Sequence, residues 1–137
     1  MLARRPEPRN IAGMSDLRNY AIAARSTDTF GRVLCSARAH HFIIDGPVQN
    51  GCPGEELTPP EAFLAGVAAC GVELIQVLGR QQGHENIGVK VQMQAMLDRS
   101  NPVRMDYTVF NSVQLWLEVS GVESAVAFEL AEQFKKK

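Results

Sequence analysis

Apolar residues recur along the chain with two periods, and the changes of period divide it into elements. Val89, Val91, Met93, Ala95 and Leu97 alternate with Lys90, Gln92, Gln94, Met96 and Asp98, the pattern of a strand buried on one face. Asn101-Pro102 marks a turn. Beyond it, Tyr107, Val109, Val113, Leu115, Leu117 and Val119 predict a second long strand, with Phe110 and Trp116 on its other face. Nearer the N-terminus, Leu17 to about Ser26 and Arg32 to Asp45 read as strands. The turn residues Thr27-Asp28-Thr29-Phe30-Gly31 join them into a β-hairpin. The second run breaks at Asp45-Gly46-Pro47, and Gly46 to Glu56 is a loop by composition.

A different period begins at Thr58-Pro59-Pro60-Glu61. Thr58 can cap a helix, proline is tolerated in the first turn, and Glu61 completes a capping box. The apolar run AFLAGVAACGVELIQVLG continues to a stop near Gly83, a helix of about 24 residues and roughly 36 Å. Its first four turns are apolar on nearly every side, so it must be covered by more than one layer. Ser120-Gly121-Val122-Glu123 reads as another capping box. It opens a second helix in which Ala127, Leu130, Ala131 and Phe134 recur at helical spacing, and Lys135, Lys136 and Lys137 suit its negative end. The order is β-β-α-β-β-α, an α+β chain.

Composition narrows the function classes. The 137 residues carry 14 basic against 15 acidic side chains, and 45% are hydrophobic. One domain of this length buries roughly two-thirds of its extended surface and needs no staple to form a core. The near-neutral balance has no basic stripe to exploit counterion release, which excludes a nucleic-acid or anionic-membrane partner. No stretch is expected to cross a bilayer. Residues 1–13 (MLARRPEPRNIAG) lack the apolar segment of a secretory signal. Residues 1–16 are expected to form a disordered arm ahead of a single domain over 17–137, with Met14 a plausible natural start. Three cysteines without a short repeated spacing fit neither a disulfide scaffold nor a zinc site. Cytoplasmic residence is the default expectation.

The chemistry rests on cysteine. There is no nucleophile-elbow serine, P-loop or dinucleotide fingerprint. His40 and His41 are adjacent in a strand, so they point to opposite faces and cannot chelate one metal together. His84, after the helix stop, is a loop residue. Cys70 lies mid-helix, and its face, counted by threes and fours, holds Phe63, Gly66, Val67, Glu73, Leu74 and Val77. Spacing alone describes a small buried hydrophobe. A nucleophile would need its pKa lowered, and Glu73, the nearest charge, would raise it.

The run Thr58-Pro59-Pro60-Glu61-Ala62-Phe63-Leu64-Ala65-Gly66-Val67-Ala68-Ala69-Cys70, with the Gly-rich loop before it and Asn86-Ile87-Gly88-Val89 after it, resembles the OsmC/Ohr family, in its OsmC-like branch. These are the osmotically induced and organic hydroperoxide resistance proteins. The residues that carry the resemblance are Pro59, Glu61, Leu64, Ala65, Ala68, Ala69 and Cys70, and it covers about residues 17–137. It implies an intertwined homodimer, with two central helices between antiparallel sheets and each active site built from both chains. It also implies a thiol-dependent peroxidase that reduces organic hydroperoxides in oxidative-stress defence. No cofactor or metal is called for.

On that resemblance Cys70 is the peroxidatic thiolate. An arginine from the partner's N-terminal hairpin, Arg25 first and Arg32 second, stabilises it, with Glu61 a further catalytic candidate. Two positions depart from the family. The glutamate that holds the arginine in the hydroperoxide-resistance branch stands ten residues before the cysteine, where this chain has Pro60. Glu61, nine residues before Cys70, is half a turn out of phase in a regular helix. The family's resolving cysteine would follow Lys137. Cys52 and Cys35 are the internal choices, and otherwise an external thiol or dithiol serves as reductant. The alternative is a non-catalytic binding protein of the same fold, holding a small apolar ligand at the dimer interface.

Overall fold

The computed structural model describes residues 17–137, so the expected arm over 1–16 lies outside the described residues. Three strands open the chain: β1 (Ala23–Ser26), β2 (Arg32–Ala37) and β3 (His40–Asp45), paired as an antiparallel meander in the order β1-β2-β3. The run expected as one strand from Arg32 to Asp45 is therefore two. A two-residue connection, Arg38-Ala39, reverses the chain with Arg38 at φ 55°, and Ala37 pairs with His40. Such tight hairpin turns need a residue with positive φ and usually advertise it with Asn-Gly or Asp-Gly, which this turn lacks. The first strand is shorter than expected, since Leu17 to Ile22 precede it without pairing.

A short 3₁₀ turn, Val48–Asn50, lies in the loop before α1 (Pro59–Gln81). Helix α1 starts as its sequence predicts. The two prolines occupy the first turn, and the Thr58 N–H donates to Glu61 Oε2 at 2.9 Å within a capping box. At 23 residues and mean hydropathy 1.8 it is long and apolar enough to cross a membrane, contrary to the expectation that no stretch would be. It packs instead as a core helix along one side. Its Gly71 is so close to α2 and β4 that a Cβ would meet Phe134 at 3.4 Å and Val91 at 3.5 Å.

The second sheet pairs β4 (Gly88–Met96) with β5 (Ser112–Ser120) in antiparallel register, Val89 opposite Val119 through Met93 opposite Leu115. Strand β5 begins later than the alternation from Tyr107 suggests, because the residues before it are used elsewhere. Asn111 Nδ2 donates to the Asn101 carbonyl at 2.7 Å, and the Asp98 N–H donates to Asn111 Oδ1 at 2.7 Å. Helix α2 (Ser124–Phe134) starts at Glu123, not in a box capped by Ser120. Ser120 ends β5 opposite Gly88, and its hydroxyl donates to the Gly88 carbonyl at 3.5 Å. The reversal falls at Gly121, whose φ of 83° suits glycine.

Ile75, Ile87 and Leu130 are buried at the centre, surrounded by Leu78, Val89, Leu117, Val119, Val122, Val126 and Phe134. The core therefore joins the second half of α1, the β4-β5 sheet and α2. The three-stranded sheet touches this body only where β3 meets α1, among the described elements. It is a flap extended from the core, an α+β arrangement of two sheets and two helices.

Candidate functional site

Helix α1 has two sides. Gly71, Ile75 and Gly79 are buried against the sheet and α2. The other side carries Phe63, Gly66, Val67, Cys70, Glu73 and Val77, all exposed. Phe63 is 63% exposed and Val77 40%, so this apolar seam is not covered by its own chain. Cys70 stands in its middle, an exposed free thiol, whereas Cys35 is buried in β2 and Cys52 half-buried in the loop. A bland core cysteine is thus the description of Cys35, not of Cys70. At the N-terminal end of the seam Phe63 meets Phe110, ring centroids 6.5 Å apart at 36°. Phe110 therefore leaves the strand expected of it and lies against the helix.

At the other end, Glu73, Gln76, Val77, Arg80, His84, Glu85 and Ile87 line a hollow of about 210 Å³. Glu73 lies one turn beyond Cys70 on the same face, about 5–6 Å between Cβ atoms at this spacing. Among the described residues neither Glu73 nor Arg80 makes a side-chain ion pair. Glu61 is far from this geometry. Helix α1 is α-helical from Pro59 to Gln81, so the half-turn phase difference from Cys70 stands, and the Glu61 carboxylate is committed to the cap.

The register of the flap sorts its arginines. Arg25 pairs with Leu34, and Leu34 with Ile43, while Arg32 pairs with Asp45 in the neighbouring row. Cross-strand partners share a face, so Arg25, Arg32, Asp45 and His41 all lie on one side. His40 takes the other side, and His41 Nδ1 is 2.8 Å from Ser36 Oγ. Arg32 is fully engaged. Its Nε and Nη2 bond the two Asp45 oxygens at 2.8 Å each, and Nη2 reaches Glu55 Oε2 at 2.7 Å. Asp45, completely buried, also accepts the backbone N–H groups of Glu55 and Glu56 at 3.1 Å. Its bond from Arg32 holds the carboxyl down at about 2, with the two N–H donors adding to the effect against desolvation. Arg25 is exposed and has no side-chain partner among the described residues.

The Asp45 set was not singled out from sequence. Its only trace there is a carboxylate ending the apolar run Phe42-Ile43-Ile44, which a buried acceptor would explain. The set ties the loop before α1 to the flap, with Asp45 N–H donating to Leu57 O at 3.0 Å and Gly46 N–H to Gly31 O at 2.8 Å. Among the described residues no group of three or more His, Cys, Asp or Glu side chains is arranged to hold a metal.

No protein-family model and no curated protein matches the sequence. Solved structures do match. An OsmC-like protein from Mycoplasma pneumoniae superposes with a TM-score of 0.67 at 19% identity, over 88% of this chain and 82% of the other. This chain has the OsmC fold. An organic hydroperoxide resistance protein OsmC from Legionella pneumophila gives 0.63 at 17% identity, over 88% and 85%. The organic hydroperoxide resistance protein OhrB of Bacillus subtilis gives 0.58 at 20%, over 88% and 86%. Within the OsmC fold, the long helix with a cysteine at mid-length and the extended N-terminal sheet are the parts on which the residues above are arranged.

Proposed function

We propose that the chain is a member of the OsmC/Ohr family acting as a homodimeric, thiol-dependent peroxidase that reduces organic hydroperoxides, with Cys70 the peroxidatic residue. The observation that carries this reading is the position of Cys70, an exposed thiol at the centre of a largely apolar helical seam whose one charged member is Glu73, in the OsmC fold. An apolar surround suits the organic part of the peroxide. A second copy laid on the seam encloses it.

The chemistry is a two-electron reduction. The Cys70 thiolate attacks one oxygen of the O–O bond, which breaks heterolytically. Sulfur becomes a sulfenic acid and the departing alkoxide takes a proton from water to leave as the alcohol. An external thiol then condenses with the sulfenic acid, releasing water, and a second thiol regenerates Cys70 and leaves as a disulfide. Arg25 of the partner flap is the guanidinium placed beside the thiolate, since Arg32 is held by Asp45 and Glu55. Glu61 enters as the cap that fixes where α1 starts and so where Cys70 stands. A cytoplasmic setting supplies the thiol or dithiol reductant this cycle needs.

Cys70→Ser is expected to abolish consumption of cumene hydroperoxide with a dithiol reductant, while Cys35→Ser and Cys52→Ser retain it. Unchanged turnover in Cys70→Ser refutes the proposal and favours an apolar-ligand binding protein.

A further inference from the structure

Resting on the peroxidase reading, we propose that Glu73 is a positioning residue, holding the partner's Arg25 against the Cys70 thiolate. A guanidinium on a flexible stem needs a fixed carboxylate to hold it at the sulfur. The position ten residues before Cys70 is Pro60, and Glu61 is out of phase and bonded to the Thr58 N–H. Glu73 is the acidic side chain on the exposed seam of α1, one turn from Cys70, and among the described residues it has no ion-pair partner.

The complementary charge is equally uncommitted. Arg25 is exposed on the flap, β1 is not a neighbour of α1, and within one chain the two do not pair. The other charged or titratable groups on Arg25's face are Arg32, Asp45 and Glu55, bonded to one another, and His41, bonded to Ser36. Around Glu73 the hollow adds Arg80, His84 and Glu85. Arg80 is seven residues along, roughly 10 Å up the helix axis, too far to pair with Glu73 from a neighbouring turn. A lone carboxylate in an apolar seam beside a nucleophilic sulfur would oppose the thiolate. Paired with Arg25 it leaves the local charge near neutral and fixes the geometry of the guanidinium.

The sign of one substitution decides the matter. In the dimeric full chain, the rate of Cys70 alkylation by iodoacetamide is followed against pH, with Cys35 and Cys52 replaced by serine. If Glu73 holds Arg25, Glu73→Gln raises the Cys70 pKa and slows alkylation at pH 7 by about tenfold, one unit of pKa. Glu73→Asp restores most of the rate. Arg25→Ala slows alkylation similarly, and adding Glu73→Gln to Arg25→Ala now speeds it, because a bare carboxylate has been removed. Arg38→Ala, at the far end of the flap, changes nothing. Alkylation in Glu73→Gln as fast as or faster than in the parent overturns the assignment. A parent in which Cys70 reacts as an ordinary thiol overturns the peroxidase reading with it.

Discussion

At the residue scale the chain separates charges that hold the fold from charges that nothing among the described residues engages. Arg32 and Asp45 belong to the first kind, and their linkage has a pH sign. Asp45 titrates near 2 in the folded chain against 3.8 for a free carboxyl. Between those values the unfolded chain binds more protons, so the contribution to stability is complete above about pH 4 and is lost as pH falls toward 2. Urea unfolding from pH 6 to pH 2 is expected to show this loss in the parent and a weaker one in Asp45→Asn, which is less stable at neutral pH. An equal acid slope in both would mean that the carboxylate does not carry the effect. Cys70 could be singled out in the sequence as a candidate because its motif is local, within one helix. The Arg32–Asp45–Glu55 set was not, because its members are 13 and 23 residues apart and meet only after two chain reversals.

Local chemistry located most elements. The Thr58-Pro59-Pro60-Glu61 start and the alternation from Val89 are each decided within a few residues. Elements are illegible in the sequence where a local signal is missing or duplicated. Arg38 takes a left-handed conformation without being glycine or asparagine, so β2 and β3 ran together. Ser120 matches a capping box but lies in the ladder opposite Gly88, and strand pairing took precedence. Phe110 fits the alternation and instead meets Phe63, a contact that no local pattern announces. For α1 itself, Glu61→Ala removes the acceptor of the Thr58 N–H and is expected to lower stability by ~1 kcal/mol, read as a fall in the urea midpoint at constant m-value. No change would mean that the two prolines suffice to start the helix.

At the scale of the whole molecule, exposed surface is the deciding quantity. The chain exposes 11492 Å², where a compact monomer of its mass exposes roughly 7,000 Å². Set aside residues 1–16 at a full extended area of roughly 2,500 Å², and residues 17–137 still exceed the roughly 6,400 Å² of a compact monomer of their size by roughly 2,600 Å². That is the scale on which one subunit of an obligate dimer is covered by its partner. The all-round apolar character of α1 calls for a second layer, which in the proposed dimer the partner's flap would supply. Val67, one turn before Cys70 on the seam, tests this. It is exposed in the single chain, so Val67→Arg is expected to leave the helix formed but, on the proposed dimer, convert the protein to a monomer in sedimentation velocity and abolish peroxide turnover. A dimer that persists with arginine at this position would place the interface elsewhere.

The flap also bears on how the protein comes into being. Among the described elements its link to the core is confined to the junction of β3 with α1, so a newly made chain can complete its own core while the apolar seam around Cys70 stays bare to water. Refolding from urea is therefore expected in two phases. The first is unimolecular and independent of concentration. The second accelerates with protein concentration, and the reactivity of Cys70 should appear with it if, as proposed, the thiol and its guanidinium arrive on different chains.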